Sequence, residues 1–587
     1  MKEADKKPRM ITEKEYRYDA FTNGKVLWNK KKNHLPAMGW NSWNAFGSEN
    51  TEELTKKMAD AIVELGLDKL GYQYVVLDDG CYKSERINGE LSNEDVKFPN
   101  GFRFLSDYIH KKGLKFGMYN DIGTNLCAGA AVGTCGHEIT DAKAYLDWGV
   151  DFIKVDNCYY LWDNATFSDA TNARYVYTPN IKAVTISGND YNDTFNAVKD
   201  GTVTGRRAEV KEDYVNHIGT FDGTGPWATP VGEQSSELTF NLVAPKKGSY
   251  QLTVCYATGK EEGIGEWLQV AVNKDIFYDD LLDATETQES FVNSKEITIE
   301  LAEGNNLLRL MNHRRQENTL CSYAALLEGF KKASPEHDVI LSICEWGKTQ
   351  PQNWGYKVGD SWRILNDITF RVGSDGTPGV GTWTDDYTPS VTSQYNKAVI
   401  MDEFAGLDKG WNDPDMLMVG MDGLTDTMYK THMTMWCMMN SPLMLGLDLR
   451  RVKKGDTLYQ IIANKDLIAL NQDSLGIQAK RIFCSLETGH PDTVYVTNRD
   501  RVDILAKPLS DGSIALSFIN VSEVKKNAGY AVTVQDIQKY FEQFITAESY
   551  EVTDLWTGES SIQKTSRFEV ASLEACDNVT IKITPMK

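Results

Sequence analysis

The chain has 587 residues and a formal net charge of −21, with 41% hydrophobic and 25% charged residues. This length exceeds what one hydrophobic core usually serves, so we expect two to four domains. The negative charge argues against nucleic acid and anionic lipid as partners, because both need a basic surface, whereas a neutral sugar is compatible with it. No apolar run reaches the roughly 20 residues that would span a membrane.

The first ten residues, MKEADKKPRM, lack the apolar stretch of a signal peptide. We therefore expect either a cytoplasmic protein or a mature form whose leader has been removed. Ten Cys in a chain of this length do not indicate a disulfide scaffold, and no CxxC pair indicates zinc. Residues 1–34 are predicted to be an N-terminal extension.

From about residue 35 the chain alternates short apolar strands with amphipathic helices. The segments at 74–77, 114–118 and 152–155 are apolar, and each runs into polar or aromatic residues. A Gly stands just before each of them, where helix-terminating Gly is expected: Gly71, Gly113 and Gly149. This alternation predicts a parallel sheet covered by helices.

The alternation stops after Asp156 and resumes at VILSICEWG, which begins at Val339. Between them, residues 177–315 contain six short segments in which apolar and polar residues alternate, and this predicts an inserted β-sandwich. With LPAMGWNSW as the first strand and SPLMLGLDLR as the last, residues 35–176 and 316–480 supply eight strands. Those two stretches are predicted to form an α/β fold, a (β/α)8 TIM barrel.

Helical patterns fade at the C-terminal end of the chain. Residues 481–587 are predicted to form a second antiparallel β-sandwich, interrupted by one helix, VQDIQKYFEQF. The six predicted strands are VYVTN, VDILAKPL, SIALSFINVS, YEVTDLWTG, RFEVASL and NVTIKITP.

The reacting groups of a TIM barrel lie at the carboxyl ends of its strands. Here those ends carry a cluster of carboxylates, two cations and aromatic residues: Trp43, Asp78, Asp79, Tyr119, Lys154, Asp156, Glu345, Arg363, Asp367, Asp413 and Asp415. Such a set suits glycoside hydrolysis, which needs one carboxylate nucleophile and one carboxylic acid. Two alternatives remain: the Asp residues cap the following helices, or Asp413 and Asp415 bind Mg²⁺. No phosphate-cradling Gly loop accompanies that pair, so we expect neither metal nor cofactor.

Six motifs, in order and one per strand end, resemble the α-galactosidases of glycoside hydrolase family 27. They are MGWNSWN (38–44), LDDG (77–80), LKFGMYNDIGTNLCAG (114–129), DWGVDFIKVDNC (147–158), ICEWG (343–347) and GWNDPDMLMVG (410–420). The C-terminal sandwich is also similar to that of the family. The insert is not a general family feature and resembles the carbohydrate-binding β-sandwiches of families 6 and 35.

The resemblance implies a role for each matching residue. Asp156 in KVDNC matches the nucleophile, and Asp367 in RILNDI matches the acid/base. Lys154 lies two residues before Asp156, so both point to one face of a strand, and its charge favours the ionised carboxylate. The remaining positions match residues that contact the sugar: Trp43, Asp78, Asp79, Tyr119, Lys154, Glu345, Arg363 and Asp415.

The resemblance also pairs Cys127 with Cys158 in a disulfide beside the site. A disulfide favours an oxidising compartment, so we expect a secreted or periplasmic protein, with a cytoplasmic one as the alternative. A second family bridge is missing, because NAFGSEN has no Cys, and Cys344 lacks the partner that animal members have.

The predicted function is removal of terminal α-galactose from oligo- or polysaccharides by double displacement. Within the family the alternatives are an α-N-acetylgalactosaminidase and a β-L-arabinopyranosidase. A non-catalytic sugar-binding protein is the alternative from another class, although such a protein needs neither Asp156 nor Asp367. The sequence leaves the oligomeric state open.

Overall fold

The computed structural model describes residues 34–158, 179–204, 208–216, 218, 237–258, 267–273, 275–311, 314–386 and 388–586. Four strands precede the insert: β1 Met38–Asn41, β2 Tyr74–Val76, β3 Lys115–Asp121 and β4 Phe152–Asp156. Four short or amphipathic helices lie among them: α1 Ser42–Phe46, α2 Glu52–Leu65, α3 Gly101–His110 and α4 Glu138–Trp148. None of the helices in these ranges or in those that follow is long and apolar enough to cross a bilayer.

Twelve strands follow in the described part of the insert. They are β5 Asn180–Gly188, β6 Tyr191–Asn196, β7 Thr202–Thr204, β8 Glu209–Val210, β9 Val215–Asn216, β10 Glu237–Ala244, β11 Gly248–Ala257, β12 Trp267–Val272, β13 Asp275–Leu281, β14 Val292–Asn293, β15 Ile297–Leu301 and β16 Gly304–Met311.

The α/β pattern then resumes. Its elements are α5 Arg314–Ala333, β17 Ile340–Cys344, β18 Ser361–Arg363, α6 Val391–Ala398, β19 Trp411–Asp413, α7 Asp426–Met438, β20 Leu443–Leu445, α8 Thr457–Ile462 and α9 Lys465–Asn471. The C-terminal elements are β21 Lys480–Cys484, β22 Val502–Pro508, β23 Ile514–Asn520, β24 Tyr530–Thr533, α10 Val534–Gln538, β25 Tyr550–Asp554, β26 Ser560–Gln563, β27 Arg567–Val570 and β28 Asn578–Pro585.

Eight parallel strands form one curled sheet in their order along the chain, β1 to β4 and then β17 to β20. β17 pairs with β4, so the sheet continues across the insert, and β20 pairs with β1. A parallel bridge between Leu417 and Leu445 joins the segment after β19 to β20. This bridge closes the sheet into a barrel, which brings all eight carboxyl ends to one rim.

Local sequence signals account for the start of α2 and the end of α4. The Thr51 side chain accepts a hydrogen bond from the Leu54 amide at 3.2 Å and caps α2, and an N-cap of this kind satisfies an amide that has no partner within the helix. α4 ends at Gly149, which is left-handed with φ +78°, a conformation that glycine adopts without a steric penalty.

Where the structure describes the insert, its strands form two antiparallel sheets, of five and seven strands. Their inward residues form an apolar cluster of their own, which includes Phe240, Leu252 and Leu310. The six segments predicted from alternation correspond to β5, β10, β11, β12, β15 and β16. β6 was not predicted, because its sequence YNDTFN is mostly polar, yet it pairs with β5 through the two-residue turn Asn189–Asp190. Both turn residues have positive φ, 51° and 64°, as hairpin turns of this length require.

The C-terminal domain is the predicted antiparallel β structure, with a six-stranded sheet and a two-stranded one. One predicted strand, VYVTN at 494–498, is wrong, because this stretch has no regular structure. The Arg481 side chain donates to the carbonyls of Pro491 and Val494 instead, so a side chain satisfies backbone groups that a strand partner would otherwise bind. β21, which carries Arg481, takes the edge position beside β22.

Candidate active site

A cavity of about 260 Å³ opens at the rim of the barrel. Residues from seven strand ends line it, and nine of the eleven strand-end residues predicted from sequence are among them. The lining residues are Trp43, Asn44, Asp78, Asp79, Tyr119, Cys127, Ala128, Lys154, Asp156, Trp346, Arg363, Asn366, Asp367, Phe370, Asp415 and Met416.

Asp156 is the last residue of β4 and is 6% exposed. The Tyr119 hydroxyl donates a hydrogen bond to its Oδ2 at 2.9 Å. Its Oδ1 has no hydrogen-bond partner among the residues that the structure describes. Burial raises the pKa of Asp156 to about 7, although the nearby charge of Lys154 opposes the shift. Tyr119 therefore fixes the orientation of this carboxyl and leaves Oδ1 without a hydrogen bond from the described residues.

Lys154 and two Asp residues form the charged wall beside Asp156. Lys154 Nζ lies 2.9 Å from Asp78 Oδ2, which also accepts a hydrogen bond from Asn41 Nδ2 at 2.8 Å. Asp79 accepts from the Ala128 amide at 2.7 Å, and burial raises the pKa of Asp79 to about 6. Because protein donors already fix these carboxyl groups, their orientations are set before a ligand binds.

The opposite wall centres on Arg363, at the end of β18. Its Nη2 lies 2.7 Å from Asp415 Oδ2 and 3.1 Å from Asp367 Oδ1. Burial raises the pKa of Asp367, and the Arg363 charge opposes this while Asp415 adds to it. Asp415 has a positive φ of 78°, and its Oδ2 also accepts from the Ile368 amide at 2.8 Å. This backbone conformation is costly for a residue with a side chain, and such strain clusters at functional sites.

The predicted disulfide is present: Cys127 and Cys158 are bonded, with Cα atoms 5.2 Å apart. It joins the loops that follow β3 and β4. Cys127 Sγ lies 3.3 Å from Asp156 Oδ2, so the bridge forms part of the cavity wall directly beside this carboxyl.

The family model described as Alpha galactosidase A matches residues 35–180 and 336–473. A second model, the alpha galactosidase C-terminal beta sandwich domain, matches residues 499–583. Together they match more than half of the chain. The chain is a glycoside hydrolase of the α-galactosidase family.

Individual relatives are similar over most of the chain. An alpha-galactosidase from Cyamopsis tetragonoloba is 27% identical over 83% of this chain and 73% of its own length. Alpha-galactosidase A from Cellvibrio japonicus is 26% identical over 90% of this chain and 87% of its own. The crystal structure of alpha-galactosidase I from Mortierella vinacea has a TM-score of 0.59 and 24% identity, covering 95% of this chain and all of that one.

Within this family site, Glu345 does not reach the cavity, contrary to our expectation. It is fully buried, and its Oε2 accepts hydrogen bonds from the backbone and side chain of Thr349 at 2.7 and 2.9 Å. Trp346 lines the cavity instead, beside the disulfide. Lys348 supports it from behind, with Nζ 4.1 Å from the ring centroid. Strand alternation indicates that residue 346 rather than residue 345 faces the cavity, because residues 342, 344 and 346 lie on the same face.

Sequence reasoning missed five further residues that line the cavity: Asn44, Ala128, Asn366, Phe370 and Met416. Most of them are immediate neighbours of predicted residues, whereas Phe370 lies three positions beyond Asp367 and is 51% exposed. Asp413, in contrast, was predicted to lie at the site and does not line the cavity. It is the last residue of β19, and its Oδ1 accepts a hydrogen bond from the Asp415 amide at 2.8 Å.

One cluster has the spacing of a metal site: Asp121, Cys127 and Cys158 place one ligand atom each within 4.8 Å of one another. Both sulfurs are used in the disulfide, and metal binding requires thiolate. Asp121 already accepts from the Cys158 and Gly123 amides at 2.7 and 2.6 Å. We therefore assign no metal role to this cluster.

Proposed function

We propose that this chain removes terminal α-D-galactosyl residues from neutral oligo- or polysaccharides with retention of configuration. The observation that carries the proposal is the pair of carboxyls on two walls of one cavity, Asp156, which is buried, and Asp367, which is partly buried. A retaining glycosidase needs such a pair, one as nucleophile and one as acid and base. The family relationship supports galactose as the sugar.

In the first step Asp156 attacks the anomeric carbon, and Asp367 protonates the leaving oxygen. The bond to the leaving group breaks, and a covalent galactosyl-enzyme forms. In the second step Asp367 takes a proton from water, which attacks the same carbon and releases Asp156. Lys154 favours the ionised form of Asp156 throughout, because it supplies a nearby positive charge.

The other charged residues of the cavity are suited to hydroxyl recognition. Asp78 and Asp79 can accept hydrogen bonds from the 6- and 4-hydroxyls, while Arg363 and Asp415 offer a donor and an acceptor on the opposite wall. Trp43 and Trp346 supply apolar surface, and aromatic rings stack on the apolar faces of pyranoses. These roles are proposals that rest on the position of each side chain in the cavity.

Trp346 is also the basis for expecting galactose over N-acetylgalactosamine. Family members that accept the N-acetyl group resemble one another in carrying small residues in the loop after the fifth barrel strand. Here that loop presents an indole held by Lys348, which occupies the space that an acetamido group needs. A pentose lacks the exocyclic CH2OH and would lose one contact with the wall formed by Asp78 and Asp79.

The test compares kcat/KM for p-nitrophenyl α-galactoside, the α-N-acetylgalactosaminide and the β-L-arabinopyranoside. We expect the galactoside to be preferred by at least about tenfold, the effect of a lost polar contact or a steric clash. Faster cleavage of either rival would overturn the sugar assignment and leave the mechanism intact. Asp156→Asn is the control for the chemistry: it should bind galactose without turnover, and residual turnover within tenfold of wild type would contradict its role as nucleophile.

We also infer that the two sheets of the insert form a carbohydrate-binding β-sandwich. Two antiparallel sheets that share one apolar cluster support this architecture. The disulfide supports a secreted or periplasmic location, since disulfides persist in oxidising compartments. A non-catalytic sugar-binding role for the whole chain would be favoured only if the aryl galactoside were not hydrolysed.

A further inference from the structure

A second cavity, of about 720 Å³, lies between the barrel and the C-terminal domain. Helix α6 supplies its barrel wall, through Thr392, Ser393 and Asn396, and two C-terminal loops, 495–500 and 522–526, supply the rest. The two domains are firmly joined around it: Trp383 Nε1 donates to the Val521 carbonyl at 3.0 Å. The cavity is therefore part of a fixed domain junction.

This second cavity and the catalytic cavity lie close together in the fold. Barrel helices begin at the same rim at which the strands end, and the residues of the second cavity come from the first two turns of α6. On the same helix, the side-chain Nε2 of Gln394 donates a hydrogen bond to the Asn366 backbone carbonyl at 2.6 Å. Asn366 lines the catalytic cavity beside Asp367. Helix α6 thus lines the second cavity and also contacts a residue that lines the catalytic cavity.

Asn396 presents a hydrogen-bond donor to the second cavity. This residue is 4% exposed, and its Oδ1 accepts from Arg501 Nη2 at 2.6 Å. Arginine can only donate, so the oxygen of the amide must face Arg501 and the NH2 group must point the other way. Asp503 fixes Arg501 in turn, with Oδ2 3.0 Å from Nε.

The Nδ2 group of Asn396 has no acceptor among the described residues, and Asn396 lines the cavity. A ligand with a hydroxyl oxygen at this point can accept a hydrogen bond from this NH2 group.

The rest of the lining fits a neutral polyhydroxylated ligand. The lining contains three acidic residues and two cationic ones: Asp385, Asp500, Glu523, Arg499 and Lys526. Lys526 forms an ion pair with Asp500. The balance of charge favours neither a polyanion nor a metal cation. The lining also combines hydrogen-bonding side chains with the half-buried ring of Tyr495, and a few polar groups beside an aromatic ring suit a small polar ligand such as a saccharide.

We propose that this cavity is a second saccharide-binding site, which holds a stretch of the polysaccharide whose galactosyl branch occupies the catalytic cavity. The identity of the ligand as this polysaccharide rests on the function proposed above, whereas the existence of a binding site in this cavity does not. The site would raise the effective concentration of branched polymer at the catalytic rim. Small galactosides would gain nothing from it.

The experiment uses the full chain and two variants, Tyr495→Ala and Arg499→Ala, with Tyr356→Ala and Arg103→Ala as matched controls away from the cavity. Hydrolysis of p-nitrophenyl α-galactoside and of galactomannan is measured for each. Binding is measured separately with Asp156→Asn added, as the retardation of each protein in native gels containing galactomannan or, for comparison, dextran. Melting curves show whether each variant is folded.

We expect kcat/KM on galactomannan and retardation by galactomannan to fall about 5- to 20-fold in both cavity variants, as for the loss of one or two hydrogen bonds or a stacked ring. Hydrolysis of the aryl galactoside should be unchanged, as should all values for the controls. Unchanged galactomannan retardation in folded Arg499→Ala would overturn the site, and so would equal losses on both substrates. If Tyr495→Ala is unfolded, Arg499→Ala and Asn498→Ala decide the question. Failure of the unmodified protein to hydrolyse the aryl galactoside would instead reject the proposed function.

Discussion

At the scale of single residues, the two carboxyls of the catalytic cavity differ in what surrounds them. Asp156 is bound by Tyr119 and lies near Lys154, whereas Asp367 shares Arg363 with Asp415. Asp415 raises the pKa of Asp367, and the charge of Asp367 in turn raises that of Asp156. Because neighbouring carboxyls resist joint ionisation, one of the pair keeps a proton, as an acid and a nucleophile in one site require.

The acid/base role can be tested with the leaving group of the substrate. In Asp367→Ala, natural galactosides should lose about 10²- to 10⁴-fold in kcat, the usual contribution of general acid catalysis. Aryl galactosides with acidic phenols should lose far less in the first step, because they need little protonation. A series of aryl galactosides graded by phenol acidity gives the measurement, and equal losses across it would indicate that Asp367 only binds the sugar.

The acid limb of the pH profile should report Asp156. Its pKa is raised to about 7, so in the free enzyme it is protonated and unreactive below that pH, and kcat/KM should fall about tenfold per unit there. Lys154 lowers this pKa, so Lys154→Met should move the limb to higher pH and reduce the maximum rate. Lys115→Met, at the opposite end of the barrel, is the control. A limb that stays in place would show that another group controls it.

At this scale the sequence predicted most of the cavity, because motif residues at strand ends point to one rim whatever the loops do. It did not predict that the Glu345 side chain is buried in the protein, away from the catalytic cavity. β17 ends at Cys344, and Trp346 has a positive φ of 57°, so the chain turns sharply after the strand. Composition at a single position does not reveal such a turn, although alternation from Ser342 indicated the correct side.

At the scale of elements, the predictions succeeded where apolar alternation was strong and failed where polar contacts decide. β22 and β23 are buried along their whole length, and both were predicted. The stretch 494–498 has the same alternation, but its backbone is bound by the Arg481 side chain. A side chain from the preceding strand leaves no pattern within 494–498 that could reveal this.

The disulfide between the β3 and β4 loops should support both stability and catalysis. Cys127→Ser/Cys158→Ser should lower the free energy of unfolding by about 2–4 kcal/mol, the usual effect of opening a loop of this size. Turnover should also fall, since the bridge lies against Asp156. Urea denaturation with and without reductant measures the first effect, and Cys255→Ser, in the insert, is the control. Reductant that destabilises the double variant as much as wild type would contradict the assignment.

At the scale of the whole molecule, the insert can be separated from the catalytic cavity. All residues that line that cavity belong to the barrel, within the part of the chain that the structure describes, and the insert has its own apolar cluster. The long gap between Asp156 and the next strand end already indicated an inserted domain. The proposed role of the insert in sugar binding has no comparable signal in the spacing.

Removal of the insert tests this separation. A chain in which a short Gly-Ser linker replaces residues 180–311 should hydrolyse aryl α-galactosides within about twofold of wild type and act more weakly on polymers, because a distant binding domain contributes by effective concentration. The variant with Asp156→Asn in addition gives the background rate. Loss of aryl hydrolysis in a folded barrel would show that the insert completes the active site.

The position of the insert also has a consequence for how the chain folds during synthesis. β4, which carries Asp156, pairs with β17, and everything from residue 157 to residue 339 must leave the ribosome before that partner does. Until then the half-barrel exposes an open edge, of the kind that promotes aggregation. The insert can collapse around its own core in the interval, which shortens the effective distance that the chain must close. Pulse proteolysis of released chains truncated near residue 330 should therefore find a protected insert beside an unprotected half-barrel.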